Sequence, residues 1–347
     1  MNVLFQNALK SIPQAVPPIW FMRQAGRYHD HYQALKRDHS FVELCKVPEL
    51  AAETAMGPIR DFDFDVSIFF SDLLYPLEAL GMGLEYSPGP KLGWQLREES
   101  DLKRLRPVAE ALPHLEFQRA ALAATREALP STKSLLGFVG GPWTLFTYAV
   151  SGGHAGDLRD VKERLHLFAP FCEIMVPLLI ENIRLQKASG PDAVMIFDTA
   201  AGELAPDLYL KHVLPQLARM RDAFPGLLGY YSKMTTPDHL DHPGFGSSST
   251  WAGLGLDHRW NLSGYLKTRS TREANRGFVQ GNFDQALLFC ESAELERRLD
   301  AYLAPFVELS PAERAGWVCG LGHGVLQHTP QANVRRFVER VRETFSK

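Results

Sequence analysis

Arg23 and Arg27 stand four residues apart in Met22-Arg23-Gln24-Ala25-Gly26-Arg27-Tyr28, with Ala25 and Gly26 leaving the backbone open between them. That spacing puts two planar, permanently charged forks on one side of a helical turn or tight loop, which suits anionic ligands. Two surface arginines neutralised by Asp30 or Glu43 would show the same spacing. Asp72 follows two aromatics in Phe69-Phe70-Ser71-Asp72-Leu73, either as a carboxylate facing a ligand or as a helix N-cap. Tyr148 ends Gly140-Gly141-Pro142-Trp143-Thr144-Leu145-Phe146-Thr147-Tyr148, and His323 lies between Gly322 and Gly324, where no flanking side chain shields it from a ligand. The alternatives there are a core tyrosine with a satisfied hydroxyl and a structural histidine.

The elements that must position these groups are short apolar runs alternating with helical patterns. Eight runs read as strands: 18–24, 64–70, 135–140, 193–198, 227–232, 250–257, 277–282 and 316–322. They are rich in Val, Ile and Phe without strict alternation, as expected of strands buried on both faces of a parallel sheet. Between them, Ser40 and Glu43 form a capping box, Pro48 and Pro206 open helices, and Pro215 predicts a kink. Thr329 and Pro330 start a helix with Val334, Phe337, Val338 and Val341 on one face. The pattern predicts an α/β fold, a (β/α)8 TIM barrel forming a single domain over 1–347, with an insertion after the second strand at about 73–133. Gly81, Gly83, Pro88, Gly89 and Pro90 punctuate that insertion. A doubly wound open sheet would share the alternation. In a barrel, Arg23, Arg27, Asp72, Tyr148, Thr199, Lys233, Asp257, Asn282, Asp284 and His323 all fall after strands, at the mouth where function gathers.

Composition narrows the chemistry. The 347 residues carry 37 Lys+Arg against 40 Asp+Glu, a formal charge of -3, so no general attraction to nucleic acid or an anionic membrane is expected and an anionic ligand must meet a local cluster. Four scattered cysteines without a Cys-x-x-Cys pair fit a reducing compartment. With no signal-peptide pattern at the N-terminus and no unbroken apolar run of 18 residues, the expected location is cytoplasmic. The short 244–250 Gly/Ser stretch does not separate domains. Phosphate-loop, dinucleotide, nucleophile-elbow and zincin motifs are absent from the sequence. His29 with His31, and His239 with His242, read more simply as polar loop than as metal ligands.

The segments at Met22–Tyr28 and Gly137–Leu145 with Tyr148 resemble the uroporphyrinogen decarboxylase family. Phe70-Ser71-Asp72-Leu73, Pro76–Met82, Phe197-Asp198-Thr199, Gln280-Gly281-Asn282 and Leu321-Gly322-His323-Gly324 are similar to further family segments in the same order. The resemblance implies one barrel, a homodimer, that removes carbon dioxide from the four acetate arms of uroporphyrinogen to give coproporphyrinogen, without cofactor or metal. It implies that Asp72 accepts hydrogen bonds from pyrrole N–H groups, that Arg23 and Arg27 contact substrate carboxylates with one serving in proton transfer, and that Tyr148, Thr199 and His323 complete the polar contacts. The catalytic set is then Asp72, Arg23, Arg27 and Tyr148.

His29-Asp30-His31, Phe283, Gln285, Gly320 and the His258-Arg259 pair before Trp260 depart from the family pattern. Two other functions share the expected architecture. A corrinoid-linked thiol methyltransferase would carry a zinc site of His-x-Cys and a later Cys, whereas His323 is followed by Gly324-Val325 and no cysteine lies beyond Cys319. A non-catalytic tetrapyrrole-binding protein would keep the pocket and lack turnover.

Overall fold

The computed structural model describes residues 1–347 except 87–88, 155, 246–249, 273–276 and 347, so Pro88 and most of the 244–250 stretch lie outside the described residues. The apolar runs form β1 (Val66–Ile68), a hairpin of β2 (Leu84–Tyr86) and β3 (Pro90–Leu92), then β4 (Ser134–Gly140), β5 (Ala193–Phe197), β6 (Leu228–Tyr231), β7 (Gly253–Gly255), β8 (Phe278–Phe283) and β9 (Trp317–Leu321). Seven of these make one parallel sheet in the order β1-β4-β5-β6-β7-β8-β9, and β2 pairs with β3 antiparallel. Every residue of β4 to β9 is buried, because side chains pack inside the sheet and helices cover its outside.

The run at 18–24 corrects the expectation of eight strands. Only Ile19 pairs, as a parallel bridge to Cys319 of β9. Its neighbours cannot extend the ladder: Pro18 has no N–H, and the chain turns at Phe21, whose carbonyl accepts from Gln24 N–H at 3.3 Å. The single residue still joins both sheet edges. Cys319 N–H donates to Pro18 O at 2.9 Å, and Asp65 N–H, beside β1, donates to Ile19 O at 3.0 Å. The curled sheet is therefore barrel-like, closed through one residue.

Helices follow their sequence signals closely. The Ser40–Glu43 capping box forms, and Pro48 begins helix Pro48–Phe62, which packs on helix Glu116–Ala128. Where Pro215 predicts a kink, the widened turn Tyr209–Val213 runs into helix Leu214–Ala223. Helix Gln331–Phe345 buries Val334, Phe337, Val338 and Val341 as expected. Thr329 does not cap it; the hydroxyl donates to Leu326 O at 2.8 Å instead. Residues Leu165–Lys187 are long and apolar enough to cross a membrane by length and composition, and 56% of an apolar 18-residue stretch within them is buried in the fold, as in a core helix.

Asp65 organises the N-terminal end of the sheet. Its carboxylate accepts from Ile19 N–H at 2.7 Å, from Asn2 Nδ2 at 3.1 Å and from the Arg342 guanidinium. One buried side chain thus ties the N-terminal segment, the bridging residue and the C-terminal helix together. Charged groups that share several donors in this way are stabilising as a set and costly to break.

Candidate active site

Arg23 and Arg27 sit on a tight loop, as their Ala-Gly spacer suggests. Turns close at Phe21–Gln24 and Gly26–His29, and Tyr28 Oη donates to Gln24 O at 2.8 Å. Gln24 Nε2 fastens the loop to β1 through Val66 O at 3.1 Å, and Val325 N–H donates to Met22 O at 3.0 Å. Arg23 adopts φ 59°, a left-handed conformation that favours glycine, held by these flanking bonds. Neither arginine pairs with Asp30 or Glu43, so the neutralised-pair alternative fails among the described residues. His29 and His31 are not the polar loop expected of them: His29 is fully buried ahead of helix Asp30–Asp38 and binds Asp61 at 2.7 Å, while His31, within that helix, binds Glu53 at 2.7 Å, so both tie this segment to helix Pro48–Phe62. Burial lowers the His29 pKa. No group of three or more His, Cys, Asp or Glu among the described residues could hold a metal ion.

A cleft of about 350 Å³ opens at the C-terminal ends of the strands, lined in part by Arg23, Tyr148, Thr199 and His323. Four predicted residues from four distant segments are thus brought together. Leu73 lines the same cleft, and its neighbour Asp72 interacts electrostatically with Arg23 and Tyr148. Arg27 is exposed and outside the cleft wall; its electrostatic reach is to Tyr32.

Asp72 combines the two roles its sequence left open. It accepts Leu74 N–H at 2.8 Å, a local turn just ahead of helix Tyr75–Ala79. Burial raises its pKa, opposed by that N–H, by the adjoining Tyr86 hydroxyl and by Arg23. A desolvated carboxylate with one backbone donor keeps most of its acceptor capacity for a ligand. Tyr148 has its pKa raised by burial and by Asp72. The Tyr148 hydroxyl therefore keeps its proton and is available as a hydrogen-bond donor beside the Asp72 carboxyl.

Asp198 explains how Tyr148 and Thr199 are placed. It ends β5 and accepts Thr144 N–H at 2.6 Å, capping helix Pro142–Ser151 from the neighbouring strand. A side chain at Gly141 would collide with that carboxylate, and one at Gly140 would lie 2.9 Å from Leu73 O. In return Thr144 Oγ1 accepts Ala200 N–H at 3.0 Å. Complete burial pushes the Asp198 pKa up to about 6.

His323 stacks on Tyr231 with centroids 5.9 Å apart, the end of an aromatic arc from Phe69 through Phe138 and Phe197. The one Tyr231 proton has two acceptors, Gly322 O at 2.8 Å and His323 Nδ1 at 3.0 Å. If it goes to Nδ1, Nε2 carries the ring proton and can donate to a carboxylate; an anionic ligand selects that tautomer. Burial, then Arg23 and Lys233, lower the His323 pKa to about 3, so the ring is neutral. The flanking glycines serve packing rather than ligand access: a Cβ on Gly322 would meet His258 N at 2.5 Å, and one on Gly324 would meet the Arg23 stem at 2.6 Å.

His154, Glu203 and Lys233 also line the cleft. Lys233 follows β6 and was legible as a strand-end residue, whereas the His154–Glu203 pair spans 49 residues and has no local signature. Other strand-end residues are structural. Asp257 accepts from Met234 N–H at 2.7 Å and Arg259 N–H at 2.9 Å, Asn282 donates to Asp257 O at 2.9 Å, and Asp284 caps Ala286 at 3.0 Å. His239, expected in a polar loop, is buried in the short helix Pro237–Leu240 and contacts Leu204 O at 3.0 Å, while His242 accepts Gly244 N–H at 3.0 Å. A larger cavity of about 830 Å³ lies beside helix Leu262–Arg272 and contains none of the predicted residues, so volume alone does not mark the chemistry.

Known proteins resemble this chain in fold and in sequence. A solved methyltransferase from Methanosarcina mazei superposes with TM-score 0.77 over 99% of each chain at 16% identity, which shows the fold alone. The uroporphyrinogen decarboxylase of Pelobacter propionicus is 34% identical over 349 residues, 98% of each chain. That of Chloroherpeton thalassium is 34% identical over 364 residues, covering 100% of this chain and 98% of the relative. The family model described as uroporphyrinogen decarboxylase (URO-D) matches residues 1–344, and the chain belongs to that family.

Proposed function

We propose that this chain decarboxylates the four acetate arms of uroporphyrinogen III to methyl groups, giving coproporphyrinogen III, in the cleft at the barrel mouth. The observation that carries this is the convergence of Arg23, Tyr148, Thr199 and His323 on one cleft beside the half-buried Asp72. The substrate offers eight carboxylates and four pyrrole N–H donors. Arg23 and Lys233 supply cationic contacts, Arg27 a further one at the rim, and Asp72 the acceptor that N–H donors satisfy.

Each arm reacts by the same balanced sequence. A proton adds to a pyrrole ring carbon, making a cation; the C–C bond to the carboxylate breaks, carbon dioxide leaves and its electron pair neutralises the ring; a second proton completes the methyl group as the ring-carbon proton is lost. One proton is consumed per carbon dioxide released. Asp72 stabilises the cation because a fixed carboxylate in a poorly hydrated cleft needs no reorganisation when charge develops. Such charge-assisted contacts contribute about 1.5–3 kcal/mol each. Contacts to unreacting arms lower KM, while Asp72 acts on kcat.

The chain is proposed to act as a cytoplasmic homodimer without a nucleic-acid or membrane partner; sedimentation at micromolar concentration measures the first. The activity is tested by anaerobic incubation with uroporphyrinogen III, without added metal or cofactor, following carboxyl loss by chromatography. Stepwise products ending at four carboxyl groups are expected. Substrate bound but returned unchanged would overturn the assignment in favour of a binding protein.

A further inference from the structure

His154 and Glu203 form the cleft's one internal ion pair among the described residues, and the mechanism above leaves them without a role. His154 follows helix Pro142–Ser151, whose end is turned by Gly152 at φ 71°. Glu203 lies on the short turn Ala201–Glu203 after β5. His154 Nε2 and Glu203 Oε1 are 2.6 Å apart, with side chains 19% and 17% exposed, and both residues line the cleft with Arg23, Lys233 and His323. Nδ1 of His154 has no hydrogen-bond partner among the described residues.

We propose that His154, held by Glu203, is a specificity-determining contact for a substrate carboxylate and engages it only as imidazolium. Neutral His154 uses its single N–H on Glu203 and turns a lone pair at Nδ1 toward any ligand, which repels a carboxylate. The imidazolium keeps the bond to Glu203 and gains a donor at Nδ1. The pair then changes from net negative to neutral in a cleft meant for a polyanion. Histidine is the side chain whose charge changes near neutral pH. The charged and titratable groups that face His154 are Glu203 and, just after β5, Asp198, with Arg23, Lys233 after β6 and the ring of His323 after β9 across the cleft. His323 stays neutral over the same range, so it does not mimic the effect.

The inference rests on the decarboxylase assignment, and its test separates the two. KM and kcat for uroporphyrinogen III are measured anaerobically from about pH 6 to about pH 8.5. In the wild type, KM should rise about tenfold with pH through loss of one charge-assisted contact. His154→Gln should show the high KM at every pH, His154→Arg the low one at every pH, and Glu203→Gln should move the rise to lower pH. A wild-type KM profile in His154→Gln would overturn the proposal. The Kd for uroporphyrinogen III over the same range gives a second readout: His154-dependent binding without turnover sinks the decarboxylase assignment and keeps this contact, whereas turnover with an unchanged Kd profile does the reverse.

Discussion

Strand β1 is flanked by two carboxylates, Asp65 at its N-terminal end and Asp72 beyond its C-terminal end. Asp65 accepts hydrogen bonds from Asn2, Ile19 and Arg342 and closes the bottom of the fold. Asp72 accepts one backbone hydrogen bond, from Leu74, with the Tyr86 hydroxyl adjoining, and burial raises its pKa. The same side chain on the same strand is saturated at one end and left open at the other. Saturation serves stability, and unspent acceptor capacity in a desolvated place is what a ligand with N–H donors can use.

The most severe break of this comparison is Asp72→Asn. We expect kcat to fall on the order of 10²–10³-fold, as for removal of a preorganised electrostatic group, with no loss of thermal stability. Near wild-type kcat would remove Asp72 from the reaction. The opposite end should answer in the opposite currency: Asp65→Asn is expected to cost about 2–3 kcal/mol of unfolding free energy in denaturant titrations, with kcat retained in the folded fraction. Equal stability losses at both ends would erase the distinction.

Smaller effects sharpen it. Arg23→Lys should lower kcat/KM about tenfold, because a point charge replaces a fork whose stem is packed on Gly324. Arg27→Lys, outside the cleft wall, should cost about threefold; the reverse order would shift substrate toward the rim. The smallest expected effect concerns Asp198. Its folded pKa, about 6, exceeds that of an unfolded aspartate, so folding retains a proton and stability falls as pH rises through about 6. Asp198→Asn keeps an acceptor for Thr144 and removes the buried charge. Its Tm should therefore exceed wild type by about 2 °C at pH 7.5 and match it near pH 4. An equal gain at both values would point to packing instead of ionisation.

Much of the site was legible because strand ends in a barrel converge, and Arg23, Tyr148, Thr199 and His323 each follow an apolar run. The first strand was misread for a local reason: 18–24 is apolar, but Pro18 and the turn at Phe21 leave only Ile19 able to pair. The role of Gly322 and Gly324 was also hidden, because what needs their missing side chains is His258 and Arg23, far away in sequence. Asp198 capping a helix from the next strand, and Glu203 holding His154, are contacts that no periodicity encodes.

The one-residue closure at Ile19 has a consequence in time. Its partner is Cys319, so the ends of the sheet cannot be joined until nearly the whole chain is present. The arginine loop hangs from that same junction, through Met22 to Val325 and through Arg23 against Gly324. Contacts so distant in sequence form late, because a long loop must first be closed. A nascent chain can fold β4 to β8 and bury their helices while its cationic mouth is still unassembled. Affinity for a polyanion is then acquired in the last step of folding, and a ligand present during refolding should bind after the helices have formed.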